Sequence, residues 1–135
     1  LDINYPNNFD YLVVLQATSP LRSTKDITNA INIIKKKKFT SLFSVSESLE
    51  HPYETINVEK NKWKFNFPKS SKYSRRQDFD INSFFINGSI YIIKIDFLKK
   101  YKKMISNNHG ISFMKKYNSL DINDLEDFRI AERLI

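Results

Sequence analysis

At 135 residues, with 41% hydrophobic and 27% charged side chains, the chain is long enough to bury one core and reads as a single folded domain. It has no cysteine, which excludes disulfides and thiolate metal sites and fits a reducing, cytoplasmic setting, and no run of about 18 apolar residues offers a membrane span. The net charge of +7 invites a polyanion partner, but only five of the 22 basic residues are arginine and the lysine-rich composition is that of an AT-rich genome, so neither a nucleic-acid nor a membrane partner is expected.

The opening LDINYPNNFD is polar, carries no secretion signal and lacks an initiator methionine, so the chain is expected to begin inside a longer protein. FDYLVVLQ (9–16) is a continuous apolar run rich in branched residues, which predicts a strand buried on both faces of a parallel sheet. The loop ATSPLRST follows, and Ser23 or Thr24 caps a helix with Asp26 in its first turn. Ile27, Ala30, Ile31 and Ile34 form the helix's apolar stripe. Lys35 to Lys38 fall on its last turn, where cations complement the macrodipole; with no arginine or aromatic among them they read as a solvated helix end. FTSLFSVS (39–46) is a second strand, completing a strand–helix–strand unit.

The character then changes. HPYETINVEKNKWKFNF predicts an antiparallel excursion of short strands, and PKSSKYSRRQDFD is polar and basic, so residues 51–85 read as an insertion within the one domain. SFFINGSIYIIKI returns to the sheet, DFLKKYKKM is a short helix and ISFMKKY a last strand. NDLEDFRIAERLI closes as a helix expected to turn Leu125, Phe128, Ala131, Leu134 and Ile135 inward. Strands alternating with helices imply a doubly wound α/β sheet with ligands beyond the strands' carboxyl ends.

Several segments hold chemistry. SLDINDLED places Asp121, Asn123, Asp124, Glu126 and Asp127 together; such oxygen ligands suit Mg2+ beside substrate phosphates, while Asn123 or Asp124 serve equally as a helix cap. Asp121 lies too early to cap. Arg75 and Arg76 suit bidentate capture of a carboxylate or phosphate, or form an exposed basic loop. QATSPLR (16–22) gathers an amide, two hydroxyls and an arginine at a strand end. His51 and His109 are not at metal-ligand spacing and receive no role. Gly88, one of two glycines, serves a turn or a close backbone approach to a ligand.

Four segments in order resemble those of the cytidylyltransferases that activate sialic and related nonulosonic acids: DYLVVLQATSPLR, RRQ, NGSIYI and SLDINDLEDFRIAE. The resemblance implies a Rossmann-like nucleotide-diphospho-sugar transferase fold, with a mostly parallel sheet flanked by helices. It implies an enzyme that transfers CMP from CTP to a nonulosonic acid, with Mg2+ as cofactor and pyrophosphate as product. It assigns Asp121 and Asn123 to the metal, with Asp121 and Arg76 as catalytic residues. Gln16, Ser19, Arg22, Arg75, Gln77, Asn87, Gly88 and Tyr91 are assigned to the substrate. Ala17, Asn123 and Phe85 depart from the family's proline, aspartate and arginine, and the family's N-terminal third is absent, so this portion alone is expected to be inactive and poorly stable. Homodimerisation through residues 51–85 is implied as well, with Trp63, Phe65 and Phe67 on one strand face. The alternatives are another sugar-acid cytidylyltransferase on the same fold, of the 3-deoxy-octulosonate type, and, from a different class, a non-catalytic basic binding module.

Overall fold

A computed structural model describes residues 9–73 and 75–135; the polar opening segment and Ser74, beside the paired arginines, lie outside the described residues. The chain divides into two compact units, one of residues 9–46 with 86–135, the other of residues 47–85.

The first unit is built on a four-stranded sheet in the order β1-β5-β2-β6, from β1 (Tyr11–Leu15), β2 (Ser41–Glu47), β5 (Phe84–Lys94) and β6 (His109–Phe113). β2 and β6 run parallel, but β1 pairs antiparallel with β5. The Lys94 amide donates to Thr40 while Ile90 lies against Ser44, so numbers fall along β5 as they rise along β2, and that pair is antiparallel too. The sheet is therefore mixed, and the expected mostly parallel arrangement is corrected. The insertion of β5 between β1 and β2 reverses one strand while leaving its apolar sequence unchanged, which is why composition could not reveal it.

α1 (Thr24–Lys37) forms as its sequence predicts. Ser23 Oγ accepts from the Asp26 amide at 3.2 Å, and the Asp26 carboxylate accepts from the Ser23 amide at 2.9 Å, a reciprocal capping box. Burial opposes ionisation of Asp26, but the Ser23 bonds, Asn118 and Lys115 outweigh it and hold its pKa below the ordinary carboxylate value. Ala30 and Ile34 are buried with Leu42, Ile90, Ile92 and Met114, and Ile27 and Ile31 pack against them. The helix ends on Lys38, left-handed at φ 54°, a position that costs a side chain about 1 kcal/mol relative to glycine. Lys102 ends α2 (Ile95–Tyr101) in the same way.

Two expectations of burial fail. β1 is an edge strand in the described sheet, and Val13 and Leu15 are 37% and 40% exposed, so it is not covered on both faces. On α3 (Leu125–Leu134) only Ala131 is buried; Leu125, Phe128, Leu134 and Ile135 are exposed despite helical spacing. No helix among the described residues is long and apolar enough to cross a membrane.

The second unit carries the hairpin β3 (Ile56–Glu59) and β4 (Lys62–Phe65), joined through Lys60 and Asn61, both at positive φ as a two-residue hairpin turn requires. Register pairs Ile56 with Phe65 and Val58 with Trp63 on one face, and Asn57 with Lys64 and Glu59 with Lys62 on the other. Phe67 lies past the strand, its ring 6.2 Å from that of Tyr53. His51 Nδ1 accepts from the Tyr53 amide, capping the short helix Pro52–Glu54, and its Nε2 lies 3.1 Å from the Ile81 carbonyl. Tyr53 stacks on Tyr73 and meets Phe79 edge-on, while its hydroxyl donates to Asp80 at 3.0 Å. The Lys69 ammonium, 2.9 Å from Asp80, holds that carboxyl at about 2 against desolvation, assisted by the two tyrosine hydroxyls. An aromatic cluster closed by one ion pair thus replaces an aliphatic core.

Candidate functional site

In the first unit the chain leaves β1 at Gln16 and turns sharply, with the Ser19 amide donating to the Gln16 carbonyl. Arg22 fixes this turn. Its Nη1 donates to the carbonyls of Gln16 at 3.0 Å and Ser89 at 2.9 Å, tying the loop after β1 to β5. Gly88 lies inside β5 at φ 73°. A Cβ there would overlap the side-chain oxygen of Gln16, so the Gln16 amide rests directly over the Gly88 backbone. That contact supplies a reason for glycine in addition to its left-handed conformation.

Asn87 is buried and its polar atoms are committed. Oδ1 accepts from Ser44 Oγ at 2.6 Å and from the Ser89 amide, while Nδ2 donates to Ser119 Oγ at 2.9 Å. Tyr91 is half-buried opposite Val14, and by strand alternation it faces away from Ile90 and Ile92, which pack with α1.

The loop carrying Asp121 is held at three points. Asn118 Nδ2 donates to Asp26 at 2.7 Å, Ser119 bonds Asn87, and the Ile122 amide donates to the Thr18 carbonyl at 2.8 Å. The last bond sets the acidic loop beside the loop after β1. Each contains a polar atom that is buried without a hydrogen-bond partner among the described residues: Asp121 Oδ1 and Ser19 Oγ. Leaving such an atom unpaired costs about 1–3 kcal/mol; the Ser46, Ser70 and Ser112 hydroxyls are unpaired as well, but Asp121 supplies the one carboxylate oxygen among these atoms. Asn123 is exposed, its side-chain amide donating to the Asp121 carbonyl at 3.3 Å. Asp124 caps α3, accepting from the Glu126 and Asp127 amides at 2.9 Å each, so its carboxylate is spent on the helix. No group of three His, Cys, Asp or Glu side chains among the described residues is arranged to hold a metal.

Arg75, Arg76 and Gln77 belong to the second unit. Arg75 is paired with Asp78 through Nε at 3.0 Å and Nη2 at 3.3 Å. Arg76 donates one Nη to the Ser48 carbonyl and lines, with Gln77, Glu47, His51 and Phe79, an open cavity of about 430 Å³. The two arginines, equivalent by composition, are thus distinguished by their partners.

Sequence reasoning did not single out Asn118 or Ser119, the Thr18 carbonyl as a tether, or the capping role of His51. The run Tyr117-Asn118-Ser119, rich in short polar side chains just before the acidic cluster, carried the available signal for the tethered loop.

No family model matches the chain. It is 32% identical over 127 residues to post-translational flagellin modification protein B of Campylobacter coli, a match covering 94% of this chain and 53% of that protein. It is 28% identical over 126 residues to N-acylneuraminate cytidylyltransferases of Streptococcus agalactiae serotypes V and III, covering 93% of this chain and 30% of each. The chain therefore spans about half of the Campylobacter protein and under a third of the streptococcal ones. Along nearly its whole length it is related to proteins named N-acylneuraminate cytidylyltransferase, as its motifs imply.

Proposed function

We propose that this chain forms the sugar-acid side of a cytidylyltransferase that transfers CMP from CTP to a nonulosonic acid and releases pyrophosphate. The observation that carries the reading is the pair of adjoining loops with unpaired buried oxygens, Asp121 Oδ1 and Ser19 Oγ, beside a Gln16 amide seated over Gly88. The names of the relatives supply the reaction class.

In this reading Gln16 presents its amide to the hydroxyl-bearing side of the acid, and Gly88 keeps the backbone low enough for that amide to lie flat. Tyr91 and Asn87 complete the lining, Asn87 by fixing the strand and Tyr91 by its half-exposed ring. Within the second unit, Arg76 with Gln77 beside it is the guanidinium suited to a carboxylate, since Arg75 is occupied by Asp78. Asp121 and Asn123 would hold Mg2+, which when bound neutralises phosphate charge and orients the attack. The orphaned carboxylate oxygen of Asp121 fits a cation donor, whereas Asp124 does not, being committed to its helix. The apolar hairpin face of Ile56, Val58, Trp63 and Phe65, exposed throughout, supports a homodimer in which this face is covered by a second copy.

The test is pyrophosphate release by the full-length product of the gene encoding this chain, given CTP, Mg2+ and a panel of nonulosonic acids. Release that requires one acid and drops by at least a hundredfold in Asp121→Ala, with the fold retained, bears out the reading. Release with no acid in the panel by a folded protein refutes it. Sedimentation of Val58→Asp tests the dimer, which should dissociate.

A further inference from the structure

The fold brings two lysine runs of the first unit to one end of its sheet, while Lys25, Lys115 and Arg22 lie toward the other. The candidate site occupies the end of the sheet where β1 terminates at Gln16 and where the Asp121 loop meets Thr18. β2 spans seven residues, so the opposite end of the sheet lies about 20 Å away. At that far end Lys38 caps α1 two residues before Thr40, and the Thr40 carbonyl accepts from the Lys94 amide where α2 begins. The chain from α2 returns to the same place, since the Ser106 amide donates to Ser41 Oγ and the Asn108 carbonyl accepts from the Thr40 amide.

Two lysine clusters, 61 positions apart at their nearest members (Lys38 and Lys99), are thereby brought to one end: Lys35 to Lys38, and Lys99, Lys100, Lys102 and Lys103. All eight side chains are exposed, and no ion pair within 4 Å involves any of them among the described residues. Asp10 and Asp96 are the carboxylates nearest in the chain to these anchor points. Tyr101 and Ile105, 50% and 40% exposed, stand among the lysines, and Lys100 Nζ lies 5.1 Å from the Tyr101 ring centroid. Composition accounts for how many lysines the chain has; it does not account for two runs converging on one end.

We propose that this end of the sheet is a docking surface for an anionic lipid bilayer. Lysine is the cation suited to the work: its ammonium is a flexible point charge whose stem lies along apolar material, and it needs no planar partner. Each lysine within a Debye length of an anionic bilayer raises partitioning about fivefold. An exposed tyrosine and isoleucine between the charges match the headgroup boundary. A single-stranded nucleic-acid surface would instead call for guanidiniums and several stacking rings, and no arginine lies within or beside either lysine run. Docked this way, the protein turns its opposite end, with Gln16, Gly88 and Asp121, toward solvent.

The experiment is flotation of the full-length protein with vesicles of phosphatidylcholine, alone or with about one-third phosphatidylglycerol, at low and high salt. The proposal expects binding to the anionic vesicles only, lost at high salt. Lys36→Glu/Lys37→Glu/Lys99→Glu/Lys102→Glu should lower that binding by more than a hundredfold. A control with the same charge change, Lys60→Glu/Lys62→Glu/Lys64→Glu/Lys72→Glu, should retain most of it. Equal loss in both sets would show net charge alone at work and overturn the proposal, as would absence of wild-type binding. Release of the protein from vesicles by a short DNA duplex at lower charge concentration would move the surface to nucleic acid. If the glutamate set melts early, the same four positions as glutamine should still weaken binding, about tenfold or more. None of these readouts depends on the proposed reaction.

Discussion

Gly88→Ala isolates the most informative contact in the molecule. Two costs are expected and they fall on different measurements. The first is conformational: at φ 73° an alanine occupies the left-handed region at roughly 1–2 kcal/mol, which for a protein of this size lowers Tm by about 3–8 °C. The second is steric: the added methyl meets the Gln16 side-chain oxygen, the far end of a flexible side chain, so Gln16 swings away and the backbone keeps its place. That displacement adds little to the stability loss but removes the amide from its seat, so affinity for the sugar acid should fall by about 10–100-fold, the cost of one misplaced polar contact. A double-mutant cycle with Gln16→Ala separates the two. Once Gln16 is truncated the methyl has nothing to displace, so Gly88→Ala should cost stability as before but no further affinity. Affinity losses that simply multiply across the cycle would refute the view that Gly88 acts by seating Gln16. They would return its role to direct approach of substrate to the backbone.

Other substitutions probe the rest of the chain. Gly110→Ala places a methyl on the Phe39 ring, which packs against the core cluster and is no flexible tail; overpacking there should cost about 1–3 kcal/mol, read by urea unfolding. Asp80, held at about 2 against an ordinary 3.8, ionises more readily folded than unfolded, so its stabilisation is complete above about pH 4 and disappears as pH falls toward 2. Acid titration of the 47–85 unit, followed by tyrosine fluorescence, should therefore show a transition in that window that Asp80→Asn removes; an unchanged transition would assign it to other carboxyls. If Arg76 holds the acid's carboxylate as proposed, Arg76→Ala should raise the KM for the sugar acid by tenfold or more, whereas Arg75→Ala should change it less than about threefold, because Asp78 already occupies its guanidinium; the reverse order in steady-state kinetics would exchange their roles.

The parts of the fold that were legible are those fixed by neighbours in sequence. The Ser23–Asp26 capping box, the stripe Ile27, Ala30, Ile31 and Ile34, and the lysines of the last turn all act within one or two turns of helix, and α1 follows. Strand order was not legible. An apolar run such as YLVVL is equally compatible with the centre and the edge of a sheet, and the position of β5 between β1 and β2 is decided by pairings more than 40 residues apart. α3 misled for a related reason. Spacings of three set Phe128 and Ala131 side by side on the helix with Leu125 and Leu134 about 180° apart at the two margins, and they do not establish that anything covers these positions.

At the candidate site the same division holds, with a further twist. Motif order pointed to Gln16, Gly88 and Asp121, but the residues that hold them in place were hidden because their bonds are long-range. Asn87 is the clearest case. Its oxygen engages Ser44 and its nitrogen Ser119, 32 residues onward, so a single side chain links β2, β5 and the loop that leads to Asp121. Arg22 does the same for β1 and β5 through two carbonyls. If Asp121 serves as proposed, it needs such a frame, because an unbonded carboxylate in a loose loop would rotate to the nearest donor. The Ile122–Thr18, Asn118–Asp26 and Ser119–Asn87 bonds spend the available donors on neighbouring groups and leave Asp121 Oδ1 without one. The cost of that orphaned oxygen is borne by the hydrogen-bonded frame around it, as the proposed role of Asp121 requires.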